Sequence, residues 1–163
     1  MKKIYLASPL GFAESTRGFM IHTVERLART VGVVNPWDDT RFSKDIAAAK
    51  ASNDLVERRR LFHAINLGIG AKNEELIRAC EGMVAILDGV DVDSGTSGEI
   101  GFAYALGKTV FGLRTDWRVT GDNEASGVNL QLRYFIEASG GSYVTTLDDL
   151  VPALATWVAH ERR

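Results

Sequence analysis

Four short apolar runs limit what this chain can fold into: Ile4 to Ala7, Val31 to Val34, Met83 to Leu87 and Val110 to Leu113. Each is bounded by Gly, Pro, Asp or Asn, and none alternates with polar residues. An alternating strand keeps one face in water, whereas a continuously apolar strand is buried on both faces, as in a parallel sheet covered by helices on each side. Tyr143-Val144-Thr145 is a weaker fifth run. The intervening stretches have helical period. Thr16 to Thr30 sets Phe19, Met20, Thr23, Val24 and Leu27 against Glu25, Arg26 and Arg29. Asp54 to Leu67 and Asn73 to Cys80 form a second helical block, which Gly68-Ile69-Gly70 is expected to interrupt. Ser97 to Leu106, Asn129 to Ser139 and Leu147 to His160 complete the set. Strands alternating with helices predict an α/β, three-layer sandwich around a mostly parallel five-stranded sheet.

The 163 residues suit one domain spanning residues 1–163, which buries about 70% of its unfolded surface. With 19 Lys and Arg against 21 Asp and Glu, the chain lacks the basic excess expected of a nucleic-acid surface. No apolar run approaches the roughly 20 residues that span a bilayer. The apolar stretch after Met1 stops at Ser8-Pro9, too short for the core of a signal peptide. Cys80 is the single cysteine, so no intrachain disulfide forms. A soluble, cytoplasmic domain is expected.

In sheets of this kind ligands bind beyond the carboxyl ends of the strands. The segments there are Ser8 to Ser15, Asn35 to Thr40, Asp88 to Gly98 and Arg114 to Val128. The most informative stretch runs from Leu87 to Gly101, where Asp88, Asp91, Asp93 and Glu99 stand among Gly89, Gly95, Gly98 and Gly101. Asp93 is expected just before a helix and Glu99 in that helix's first turn. Two explanations of Glu99 stay open on residues alone. Thr96-Ser97-Gly98-Glu99 fits a capping box, with the glutamate reaching back to the cap. Alternatively Gly98 and Gly101, each costing about 1 kcal/mol inside a helix, make room for a ligand to approach the carboxylate. A helix N-terminus would also keep Glu99 ionised.

Other chemistries lack their signatures. Gly95, Gly98 and Gly101 do not follow the dinucleotide spacing, and no Gly-Lys-Ser/Thr phosphate loop is present. The aspartates lack EF-hand spacing. His22, His63 and His160 are scattered, so no metal site is expected. Ser8, Ser94 and Ser97 have no G-x-S-x-G context. Glu57-Arg58-Arg59-Arg60 is the charge run of a solvated helix face or a subunit contact.

The segment from Asp93 to Lys108 (DSGTSGEIGFAYALGK) resembles the signature of the nucleoside 2-deoxyribosyltransferase family. The opening Ile4-Tyr5-Leu6-Ala7-Ser8-Pro9-Leu10 and the later Val128-Asn129-Leu130 resemble the same family in the same order, so the likeness covers about residues 3 to 140. The resemblance implies a flavodoxin-like fold, no metal or organic cofactor, and 2′-deoxynucleosides and free purine or pyrimidine bases as reactants. It implies Glu99 as the nucleophile that holds the sugar covalently, Tyr5 as the residue that positions it, and Asp93 beside the deoxyribose and base, along with Ser94 and Gly95. It implies that Asn129 serves a neighbouring subunit's site, in a homo-oligomer that is a dimer, tetramer or hexamer. Asn73 stands where some members carry an aspartate proposed to protonate the leaving base; an amide orients a base but delivers no proton. Base binding is expected from Leu10, Gly11, Phe12, Trp37 and Asp38, with the two aromatic rings stacking and Asp38 accepting from an amino group.

The expected activity is deoxyribosyl transfer with retention. Two alternatives stand beside it. A 2′-deoxynucleoside 5′-phosphate N-hydrolase would need phosphate donors, for which Ser15, Thr16 and Arg17 are candidates. A non-catalytic nucleoside-binding domain would keep the cleft without needing an ionised Glu99.

Overall fold

The computed structural model describes residues 1–160. Five strands form one sheet: β1 (Lys3–Ala7), β2 (Gly32–Val34), β3 (Gly82–Ile86), β4 (Thr109–Leu113) and β5 (Tyr143–Val144). Their order is β2-β1-β3-β4-β5, and all four pairings are parallel, so the sheet is wholly rather than mostly parallel. This is the order of flavodoxin-like folds. Tyr5 pairs with Val34 on one side and Met83 on the other.

The helices are α1 (Glu14–Leu27), α2 (Ser43–Ala51), α3 (Leu55–Ala79), α4 (Ser94–Ala105), α5 (Leu130–Ala138) and α6 (Leu147–His160). Period-two alternation of side chains across the strands divides the interior into two layers. Ile4, Leu6, Val84, Ile86, Phe111 and Leu113 pack with Met20 and Leu27 of α1 and Leu147, Leu150 and Leu154 of α6. Tyr5, Ala7, Met83, Ala85 and Val110 pack with Ile77 of α3, Ile100 and Ala103 of α4, and Leu132 and Ile136 of α5. Each fully buried Leu or Ile contributes about 1.5–3 kcal/mol; the first layer is rich in them, whereas the second mixes them with Ala, Val, Met and Tyr.

Three expectations need correction. The interruption at Gly68-Ile69-Gly70 does not occur: α3 runs unbroken for 25 residues, started by Asp54, whose carboxylate accepts from Val56 N–H (2.8 Å). Gly68 is there for packing, since a Cβ would stand 2.7 Å from the Phe42 ring. That close approach of the segment leading into α2 outweighs the propensity cost of the two glycines. Second, α2 and the short 3₁₀ turn Pro36–Asp38 arise between β2 and α3, where no element is assigned above although the alanines of Ser43–Ala51 favour a helix. Third, α4 begins at Ser94 rather than at Ser97, where the helical stretch is placed above, while Asp93 stands just before the helix as expected and caps it.

Candidate active site

The chain doubles back at β1: β2 lies on one side of it and β3 on the other. Beyond the carboxyl ends of these strands opens a cleft of about 250 Å³. Ser8 and Phe12 follow β1, Pro36 and Trp37 follow β2, and Asp93, Gly95, Thr96 and Glu99 follow β3. The fourth wall is α3, which contributes Ile69, Lys72 and Asn73, three positions on one helical face.

Glu99 is half-buried at the floor. The Tyr5 hydroxyl donates to its Oε1 at 2.7 Å and Asn73 Nδ2 donates to the same oxygen at 3.3 Å. Oε2 accepts no hydrogen bond among the described residues. The capping box is therefore not formed. Asp93 Oδ2 accepts from Thr96 N–H at 2.9 Å as the true cap, and Glu99, in the second turn, looks away from its own helix's amides toward β1 and α3. The helix N-terminus does not dominate its charge state either. Burial pushes the Glu99 pKa above the usual carboxylate range, and Asp93 pushes the same way; the Tyr5 and Asn73 hydrogen bonds pull it back. Burial and the facing carboxylate hold the Tyr5 hydroxyl firmly protonated. With Nδ2 on a carboxylate, the Asn73 amide orientation is settled, and its Oδ1 is buried without a partner.

The aromatic wall is braced. Trp37 Nε1 donates to the Ser8 carbonyl at 2.9 Å, and Asn35 Oδ1 caps the turn by accepting from Trp37 N–H at 3.3 Å. Gly11 lies flat against the indole, where a Cβ would fall 2.1 Å from Trp37 Cδ2. Phe12, 74% exposed, meets Trp37 edge to face with centroids 4.6 Å apart. A second concavity of about 340 Å³ adjoins Glu99 on its other side, lined by Asn73, Ser94, Gly95 and Gly98 among others. A Cβ on Gly70 or Gly98 would meet nothing, so space there is open.

Tyr5, Phe12, Trp37, Asn73, Asp93, Ser94, Gly95 and Glu99 are thus gathered around one carboxylate, with Gly11 behind the aromatic wall. Asp38 is not. It is exposed and its Oδ1 accepts from Asn35 Nδ2 at 3.0 Å, because the turn needs that bond to close. Asn129 is also outside the chain's own cleft, exposed at the cap of α5, where it accepts from Gln131 N–H at 2.9 Å. Thr16 Oγ1 donates to the Leu10 carbonyl at 2.6 Å and Arg17 Nε to the Gly11 carbonyl at 3.4 Å, so both hold the loop after β1. Lys72, Ile69, Pro36 and Thr96 escaped the sequence reading. The helical spacing of Ile69, Lys72 and Asn73 was a usable signal, hidden by the supposed break in α3. Among the described residues no cluster of three or more metal-ligating side chains occurs, and no helix is long and apolar enough to cross a membrane.

A conserved protein from Enterococcus faecalis V583 is similar in structure, with TM-score 0.64 and 24% identity over 96% of this chain and 98% of that one. A 2-deoxyribosyltransferase from the psychrotolerant bacterium Bacillus psychrosaccharolyticus matches with TM-score 0.56 and 22% identity, covering 91% and 90%. The CMP N-glycosidase BcmB of Clostridium botulinum matches with TM-score 0.53 and 18% identity, covering 96% and 99%. At such identities the likeness is one of fold. No curated protein matches the sequence. The family model for nucleoside 2-deoxyribosyltransferases matches residues 4–131, which take in β1, the 3₁₀ turn, α3 and the Asp93-to-Glu99 segment. The chain belongs to the nucleoside 2-deoxyribosyltransferase family.

Proposed function

We propose that this chain transfers a 2-deoxyribosyl group between nucleobases through a covalent glycosyl ester on Glu99, with retention at the anomeric carbon. One observation carries the reading: both hydrogen bonds to Glu99 fall on Oε1, leaving Oε2 free in the cleft. A carboxylate oriented through one oxygen and open at the other is built to attack. Cleaving a nucleoside C–N bond develops positive charge on the sugar, which an adjacent carboxylate first stabilises and then captures. The electron pair of the broken bond leaves with the base. An acceptor base attacks the ester from the vacated side, and two inversions give retention. Phe12 and Trp37 offer an apolar surface for the base. Asp93 stands in the same wall, and in this reading it flanks the sugar.

The commitment of the Thr16 hydroxyl to the Leu10 carbonyl supports an uncharged 5′ end over a 5′-phosphate. Hydrolysis after the same first step is the second reading, and the exposure of Phe12 favours it, since none of the described residues covers that ring at the cleft mouth. A second copy would change that. Asn129, together with Leu130 (54% exposed) and Tyr134 (57% exposed), forms a face on α5 suited to a homo-oligomer with shared sites.

The test is incubation with thymidine and adenine followed by chromatography. Deoxyadenosine and thymine appearing together support transfer, and Glu99→Ala is expected to abolish both products. Free thymine without a new nucleoside turns the assignment to a hydrolase. Turnover retained by Glu99→Ala, or no turnover with any nucleoside, rejects the mechanism.

A further inference from the structure

Lys72 is the one cation among the residues lining the cleft of Glu99, and its side chain is only 6% exposed. Burying an ammonium costs several kcal/mol unless its hydrogen bonds and charge are met. They are met in part. Nζ donates to the Pro36 carbonyl at 3.2 Å and pairs with Asp39 Oδ2 at 3.8 Å, beyond hydrogen-bond distance, which leaves two N–H groups without a hydrogen bond among the described residues. The other residues lining the cleft are apolar, uncharged or acidic, so Lys72 is the positive charge available to a ligand bound there. The neighbouring residue on the helix, Asn73, has an amide that neither carries charge nor delivers a proton.

We propose that Lys72 is the electrophile that receives the negative charge of the departing nucleobase. The inference rests on Glu99 being the nucleophile. In the step concerned, the bond from C1′ to the base nitrogen breaks and its electron pair goes to the base. Glu99 Oε2 forms the new bond to C1′, so the carboxylate charge is replaced by that of the base anion. The Lys72 ammonium pairs with that anion through an acceptor next to the glycosidic nitrogen, O2 of a pyrimidine or N3 of a purine. Lysine's rotatable N–H bonds serve either ring. The incoming base releases its N–H proton to solvent as it attacks, and the departed anion takes one up from solvent, so protons balance. The substrates this favours are 2′-deoxynucleosides with unactivated, strongly basic leaving groups.

The experiment compares donor cleavage by wild type, Lys72→Met and Lys72→Gln on two donors. One is thymidine; the other is 5-fluoro-2′-deoxyuridine, whose more acidic base leaves as an anion more easily. Loss of a donor to developing negative charge typically costs 10²- to 10³-fold in kcat, and a loss of about that size is expected on thymidine. On the fluorinated donor it should be several-fold smaller, with Lys72→Arg partly restoring the thymidine rate. Mass spectrometry of quenched protein reads the deoxyribosyl adduct on Glu99 separately. Lys72→Gln keeps a donor for Pro36 and guards against misfolding of the methionine variant. Equal losses on both donors, or no loss, overturn the role of Lys72 while an adduct in the wild type leaves Glu99 standing. Absence of both adduct and turnover in the wild type overturns the two together.

Discussion

Replacing Tyr5 with Phe removes one oxygen from a fully buried ring and leaves its packing between β1 and α4 intact. The lost atom makes the 2.7 Å hydrogen bond to Glu99 Oε1. A hydrogen bond to a charged group contributes about 1.5–3 kcal/mol, and 1.36 kcal/mol corresponds to about one pH unit of a carboxyl's titration. Burial already places Glu99 above the ordinary range, and Tyr5 is the foremost influence pulling it back. Tyr5→Phe should therefore raise it further, since burial is then opposed by the Asn73 bond alone. The proposed nucleophile works ionised, so the acid limb of kcat/KM against pH should move up, and on its acid side the variant should lose about tenfold or more. Well above the limb the loss should be smaller, since a less stabilised carboxylate is the stronger nucleophile. The assay is donor cleavage from pH 4 to 9 in wild type and variant. A uniform fall at every pH with an unmoved acid limb would refute the argument, showing that the hydroxyl serves only geometry or that the limb belongs to another group.

Two other outcomes follow from the same geometry. Glu99→Gln should abolish turnover and stabilise the fold with a sign set by burial. A carboxyl whose pKa is raised on folding adds stability below its unfolded value, about 4.3, and loses it as pH rises through the folded value. The variant should match wild type in urea denaturation near pH 4 and exceed it near pH 7; the opposite trend would contradict the burial argument. Gly11→Ala places a methyl 2.1 Å from Trp37 Cδ2 against an indole pinned by Ser8. The cost should be about 1–3 kcal/mol of stability with a raised KM for the base, and an unchanged KM would show that Trp37 does not form the base wall.

The strands were legible because burial on both faces leaves an unmistakable apolar run, and each expected strand lies within two residues of an observed one. The family resemblance singles out Glu99, Tyr5, Asn73 and Asp93; Tyr5 and Asn73 meet on Glu99 Oε1, while Asp93 lines the same cleft and caps α4. What misled was local. Gly68 looked like a breaker because propensity is visible in sequence and the Phe42 ring that demands a glycine is not. Thr96-Ser97-Gly98-Glu99 looked like a capping box because its spacing is right, yet Asp93 captured the Thr96 amide first and moved the helix start. Asp38 was assigned to the base by position alone, while Asn35 had already claimed its carboxylate. Nothing in the sequence around Lys72 marks it as buried; only the folding of the 3₁₀ turn onto α3 covers it.

The outermost strands of the sheet, β2 and β5, are three and two residues long. Unpaired backbone at a sheet margin is where foreign strands add on, and such brevity is a recognised defence. Neighbouring copies therefore find almost no rail of free amides to extend into a continuous intermolecular sheet. Any specific assembly of this chain has to be written in helix faces and loops, the same surfaces that border its catalytic opening.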